Sequence, residues 1–210
     1  MIKTILFDVD GTIIDTEYVM THYLQKTLRE ELEKELPIQE LHYILGIPGR
    51  EAIKKFVNTE EEEDIFLSKW GKNVLLLAEN VQVFPHLAEI LQKLHIKGIQ
   101  LGIVTSKTKE EMKNEFDRFD LNQYFDIQIT ASDTNLHKPF PDPIQKAIDE
   151  LHVKKEETIY IGDSLYDMQS AKACGVTFGL AKWGAQNIEN FQNVVIVIDS
   201  PQEILDLLEI

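Results

Sequence analysis

Residues 5–12 read Ile5-Leu6-Phe7-Asp8-Val9-Asp10-Gly11-Thr12, and this stretch decides how the rest of the chain is arranged. An apolar run of strand-forming side chains delivers two carboxylates, one residue apart, to the end of a buried strand. Strand alternation puts Asp8 and Asp10 on the same side. Gly11 supplies the tight turn that follows, and Thr12 a hydroxyl beyond it. Two carboxylates this close are costly unless a cation, a shared proton or a reaction intermediate makes use of them. A calcium loop is excluded, because no further ligands follow at alternate positions and no Glu stands at the twelfth.

Beyond Thr12 the pattern turns helical and stays so to about residue 79. Leu24, Leu28 and Leu32 share one face of a helix over 16–36 that Pro37 interrupts. A second helix is expected over 38–45, stopped by Gly46 and Pro48, and a third over 50–57. Thr59 and Glu62 have capping-box spacing for a helix carrying Ile65, Phe66, Trp70 and the run Leu75 to Leu77. The acidic run 60–64 suits the dipole of that helix's first turn and reads as a solvated face.

Strands and helices alternate from residue 84 onward. Strands are expected at 101–105, 125–130, 158–161, 177–180 and 194–198. Helices fill the intervals at 85–97, 109–119, 143–151 and 165–174, and a last one, capped by Ser200 and Glu203, runs through 208. Such alternation predicts an α/β fold, a doubly wound parallel sheet of Rossmann-like type with helices on both faces. The helical stretch breaks the rhythm. The expected division is a core of residues 1–14 and 82–210 with an inserted all-α cap over 15–81.

Composition narrows the function. The 210 residues are 43% hydrophobic, enough for a sizeable core, and carry a formal net charge of −15. That charge speaks against nucleic acid, which needs clustered Lys and Arg. An anionic substrate must then be drawn in by local cations. The one cysteine, Cys174, allows no internal disulfide and fits a reducing compartment. Neither a signal-peptide pattern nor an apolar run of about 18 residues is present. The expectation is a soluble cytoplasmic protein that does not engage membranes, a monomer or weak homodimer.

Ligands of an open parallel sheet bind outside the carboxyl ends of its strands. Those ends carry Asp8 and Asp10, then Thr105-Ser106-Lys107, then Lys138-Pro139, then Gly162-Asp163-Ser164 with Asp167 one helical turn on. Each residue type has work to do in phosphoryl transfer. A carboxylate can serve as nucleophile, dividing one hard displacement into two. A second can protonate the leaving oxygen and later activate water. Crowded carboxylates and an anionic substrate call for a hard cation such as Mg²⁺, while a hydroxyl and a lysine can hold the phosphoryl oxygens. His22, His42 and His137 share no metal spacing and form no evident triad, and Lys107 reads as a loop-shaping residue.

These four motifs, in this order and with a helical insert after the first, resemble the haloacid dehalogenase superfamily in its capped phosphatase and phosphomutase branch. The likeness spans the whole chain. The segments 103–107 and 162–167 are most similar to those of phosphoglycolate phosphatases and related pyrophosphatases. The resemblance implies a Mg²⁺-dependent phosphatase acting on a small phosphorylated metabolite through an aspartyl phosphate. Asp8 would be nucleophile and metal ligand. Asp10 would be general acid/base, giving its main-chain carbonyl to the metal. Thr105 and the Ser106 main-chain N–H would bind the phosphoryl group, with Lys138 neutralising it and orienting Asp8. Asp163 would ligate the metal, Asp167 would ligate it or position its water, and Arg50 in the cap would meet a second anionic group of the substrate. The alternatives are a sugar phosphomutase resembling β-phosphoglucomutase and, from another class, a signalling module phosphorylated on Asp8.

Overall fold

The computed structural model describes residues 1–45, 47–75, 80–192, 194 and 196–209. Six parallel strands form its main sheet: β1 (Thr4–Phe7), β4 (Gln100–Val104), β5 (Ile127–Ile129), β6 (Thr158–Gly162), β7 (Thr177–Ala181) and β8 (Ile196–Ile198). Their spatial order is β5-β4-β1-β6-β7-β8. The chain thus winds outward from β1 in one direction and returns to wind outward in the other. The reversal falls between β1 and β4 on one side and β6 on the other, which makes the mouth of β1 and β6 the switch point of the sheet.

Alternation along the strands divides the interior between two layers. Ile5 and Phe7 of β1, Leu101 and Ile103 of β4, and Ile159 and Ile161 of β6 face one side. They pack there with Leu87, Ile90, Leu91 and Leu94 of α4 (Leu87–Ile96) and with Ile204 and Leu207 of the terminal segment. Leu6, Val104 and Tyr160 face the other side, against Ile144, Ala147 and Ile148 of α6 (Asp142–Leu151) and Ala171 and Cys174 of α7 (Leu165–Cys174). The central strand β1 is buried at every residue. An unbroken apolar run before a carboxylate is what a two-sided parallel strand requires.

Between β1 and α4 lie α1 (Glu17–Leu32), two single 3₁₀ turns (Ile38–Glu40 and His42–Ile44), α2 (Gly49–Ile53) and α3 (Glu60–Leu75). Leu24 and Leu28 of α1 pack with Phe66, Trp70 and Val74 of α3, and the acidic start of α3 is largely exposed, as its sequence implies. The helix expected over 38–45 is absent, because a stretch this short cannot offset the cost of nucleating an α-helix and breaks into 3₁₀ turns after Pro37. Its expected stop at Gly46, and the stretch Leu76–Leu77 of the expected apolar run, lie outside the described residues. An antiparallel ribbon of β2 (Ile14–Asp15) and β3 (Gln82–Val83) was not foreseen. Two residues per strand are too few for a period, yet they pair the two chain crossings at the positions where the sequence pattern changes.

Two further differences concern helix type. After the capping box of Thr108 and Glu111, α5 (Lys109–Glu111) widens into a π turn over Met112–Phe116, with the N–H of Asp117 donating to the carbonyl of Met112. The terminal segment Pro201–Glu209 is 3₁₀, not α. Among the described residues, no helix is long and apolar enough to cross a membrane.

Candidate active site

Asp8 follows β1 directly, and its N–H donates to the carbonyl of Ile161 on β6 at 2.9 Å. The chain then turns back on itself: Ile13 and Ile14 both donate to the carbonyl of Val9, at 2.8 and 3.0 Å, and Gly11 donates to Ile14. Gly11 has φ +73°, and a Cβ there would stand 2.2 Å from Asp163 Oδ2. Gly184, in the loop after β7, approaches so closely that its own Cβ would meet Gly11 O at 1.7 Å. The indole of Trp183 donates to Thr12 O at 3.0 Å. Only glycines permit this stacking of loop on turn on carboxylate.

The structure brings Asp8, Asp163, Asp167 and Lys138 into one buried cluster. Oxygens of the three carboxylates lie within 4.8 Å of one another. Lys138, joined to Pro139 by a cis peptide, places Nζ 2.9 Å from Asp8 Oδ1 and 2.6 Å from Asp167 Oδ1. Asp167 also holds Ser164 through the N-terminal capping box of α7 and lies 2.9 Å from the Tyr160 hydroxyl. Both Asp167 oxygens are therefore engaged by the chain itself. Asp163 accepts from Thr12 Oγ1 at 3.2 Å, with no cationic side chain bonded to it among the described residues.

Three carboxylates around one ammonium leave an excess of buried negative charge. Burial pushes Asp8 up to about 7, offset in part by Lys138 and reinforced by Asp167 and Asp10. Asp163 is raised well above the usual carboxylate range, first by burial and then by Asp167 and Asp8. Oxygen-only donors with uncompensated charge suit a hard divalent cation such as Mg²⁺. The close approach at Gly11, where any side chain would strike Asp163, keeps the room beside these oxygens open.

Thr105 is buried at the end of β4; its N–H donates to Ile129 O at 2.9 Å and its Oγ1 accepts from the Lys107 N–H at 3.2 Å. Ser106 Oγ is buried without a hydrogen-bond partner among the described residues. Both line a cavity of about 50 Å³ that also meets Asp8, Lys138 and the apolar side chains Met20 and Ile44. A second cavity of the same volume lies across Asp10 and Thr16, bounded by Glu17, Phe84 and Trp183. Glu17 accepts from Gln186 Nε2 at 3.0 Å, bridging the start of α1 to the loop after β7.

Two residues have partners that the sequence does not reveal. Arg50 lines neither cavity in this structure; its guanidinium is bound by Glu63 at 2.6 Å and by Asp64, both from the acidic start of α3. Lys107 is no mere loop former. Its buried Nζ lies 3.1 Å from Asp10 Oδ1 and 2.5 Å from Glu115 Oε2. No sequence signal marks this contact, since Glu115 sits among other charged helical residues and only the π turn directs it inward. Tyr160 and Trp183 were missed for the same reason, reading as ordinary strand and loop residues.

With fold and site in view, comparison with known proteins places the chain. Residues 5–181 match the family of haloacid dehalogenase-like hydrolases, and the protein belongs to it. It is 30% identical to the phosphoglycolate phosphatase of Aquifex aeolicus over 212 residues, covering 99% of this chain and 97% of that one. It is 29% identical to the pyrophosphatase PpaX of Halalkalibacterium halodurans, covering 100% of this chain and 96% of the relative. The solved structure of a Lactobacillus plantarum protein, provisionally assigned as a phosphoglycolate phosphatase, superposes with a TM-score of 0.90 at 26% identity, covering 99% and 100% of the two chains.

Proposed function

We propose that the protein is a Mg²⁺-dependent phosphatase that hydrolyses a small phosphorylated metabolite through an aspartyl phosphate on Asp8. The observation that carries this reading is the buried cluster of Asp8, Asp163 and Asp167 around Lys138 at the switch point of the sheet. Asp8, Asp163 and the main-chain carbonyl of Asp10 would hold the cation. The bound ion supplies neutralisation of the charge between Asp8 and the phosphoryl oxygens. Asp167, whose oxygens the chain already engages, acts by holding Lys138.

A free oxygen of Asp8 attacks phosphorus as the bond to the leaving oxygen breaks, and Asp10 gives that oxygen its proton. Asp10 then takes a proton from water, whose oxygen attacks the phosphorus and frees Asp8 and inorganic phosphate. Thr105, the Ser106 N–H and Lys138 hold the phosphoryl oxygens throughout. Residues 15–81 act as a cap over the core of 1–14 and 82–210, excluding water while Met20, Ile44 and Leu45 bound the space for the leaving group. The cavity favours a small one. A phosphomutase would share every core residue, so substrate trials separate the two readings. A phospho-accepting module would have no use for a cap or for Asp10. The unpaired, buried Cys174 fits a cytoplasmic location.

The test is phosphate release from a panel of phosphomonoesters and pyrophosphate, with Mg²⁺ or with chelator, for the wild type and Asp8→Asn. Turnover that requires metal and vanishes in Asp8→Asn is expected. Turnover that survives the substitution would remove Asp8 as nucleophile, and a single stoichiometric labelling without turnover would favour the module.

A further inference from the structure

Lys107 is a buried cation between two carboxylates that come from different parts of the chain. Its side chain is 7% exposed and that of Glu115 9%. Burying either charge alone would cost several kcal/mol, so each requires the other. Lys107 could be neutralised by Glu115 alone, but its ammonium also stands 3.1 Å from Asp10 Oδ1. That oxygen is shut away from solvent and has no hydrogen bond of good geometry among the described residues. The Asp10 side chain is 27% exposed, Oδ1 has no part in that exposure, and the residue lines both cavities.

Glu115 reaches this place through local backbone geometry. The π turn Met112–Phe116 inserts an extra residue into the turn after α5, with Met112, Glu115 and Phe116 all buried. Such turns are rare and occur often at functional sites. At its other end Lys107 is fixed by its own N–H, which donates to Thr105 Oγ1 at 3.2 Å. One loop thus carries both a phosphoryl-binding hydroxyl and the cation that meets the acid/base residue.

We propose that Glu115 and Lys107 are positioning residues for Asp10: Glu115 fixes Lys107, and Lys107 holds Asp10 Oδ1 so that the other oxygen faces the leaving group. The proposal rests on the phosphatase reading above. Neither residue lines either cavity. Their effect is confined to steps in which Asp10 moves a proton, and such transfers demand placement to within a fraction of an ångström.

The dependence of rate on the leaving group isolates that effect. Aryl phosphates from 2,4-dinitrophenyl to phenyl phosphate would be hydrolysed in Mg²⁺ by the wild type, Lys107→Met and Glu115→Gln, with folding checked by circular dichroism and thermal melting. For phenyl phosphate, Lys107→Met is expected to lower kcat about 10- to 100-fold, a fraction of what general acid catalysis supplies. KM should barely move. With 2,4-dinitrophenyl phosphate, whose leaving group needs no proton, the loss in the displacement step, read as the single-turnover burst of nitrophenolate, should be under about 3-fold. Glu115→Gln, the milder variant, should show the same pattern at smaller size. In an Asp10→Asn background, adding Lys107→Met should cost phenyl phosphate hydrolysis nothing further. Equal losses across the series, or full additivity with Asp10→Asn, would overturn the proposal while leaving the phosphatase reading intact. Absence of metal-dependent hydrolysis by the wild type would overturn both.

Discussion

The ammonium of Lys138 donates to Asp167 Oδ1 at 2.6 Å, with side-chain exposures of 2% and 0%. Lys138 also meets Asp8 at 2.9 Å, so one buried cation spans the expected nucleophile and a carboxylate fully engaged by the chain. Asp167 in turn is tied to the first turn of α7 through Ser164. The position of Lys138 is thereby set by helix capping as well as by charge.

From this relationship it follows that Asp167→Asn should impair catalysis without a direct role in it. Freed from one charged partner, Lys138 would shift toward Asp8, and a misplacement of about 1 Å at such a site costs roughly 100-fold. A fall in kcat of about 10- to 100-fold is expected, larger than that of Tyr160→Phe, which removes a neutral partner of the same oxygen. Steady-state kinetics of the two variants provides the comparison; equal effects would contradict it.

Mg²⁺ should stabilise the protein more at pH 8 than at pH 5. Asp8 stands at about 7 in the fold, against an ordinary 3.8. From about pH 4 to pH 7 the folded chain therefore binds more protons than the unfolded one, and metal-free stability falls as pH rises through that window. Cation binding needs ionised carboxylates, so its benefit grows over the same range. At free Mg²⁺ about 100-fold above its dissociation constant the gain at pH 8 is roughly 2.7 kcal/mol. Thermal melts with Mg²⁺ or chelator at both pH values measure it, and an equal gain at both would rule out the buried carboxylates as the binding site.

Gly11→Ala and Gly98→Ala should separate strain from function. Both glycines have φ near +75°, at +73° and +76°, but only the Cβ at Gly11 would strike a neighbour, Asp163 Oδ2 at 2.2 Å. Gly98→Ala should cost about 1–2 kcal/mol of stability through backbone strain alone and leave kcat unchanged. Gly11→Ala should in addition abolish the Mg²⁺-dependent rise in melting temperature. Retention of that rise would show that Asp163 does not bind the cation.

Arg50→Ala should change kcat/KM by less than about 3-fold and stability by at most about 1 kcal/mol, as for other exposed ion pairs. Its guanidinium is half exposed and bound to Glu63 and Asp64. A large rise in KM for a substrate with two anionic groups would mean that the cap arginine leaves this pairing when substrate binds.

Much of the fold was legible in local pattern. The helix over Leu165–Cys174 was read to the residue, because Ser164, Asp167 and Gly175 mark both its ends. The strands β4 and β6 were found to within a residue because two-sided burial writes continuous apolar runs. The ribbon of Ile14–Asp15 with Gln82–Val83 was invisible: each strand is made by a partner far away in sequence. The turns over 38–45 were misread because single 3₁₀ turns and a short helix share one composition.

The sequence by itself determined which residue types gather at the sheet edge. Asp8, Asp10, Thr105 and Asp163 each sit just beyond a strand end and Lys138 in the loop that follows one, and a parallel sheet gathers its strand ends in one place whatever the details of packing. Only the tertiary structure decided which charges pair there. It paired Arg50 with the acidic start of α3, engaged both oxygens of Asp167 within the chain, and turned Lys107 from the loop toward Asp10 with Glu115 behind it. The physical reason is range: helix caps and apolar periods are written in residues a few positions apart, whereas the partner of a buried charge is chosen by proximity after folding.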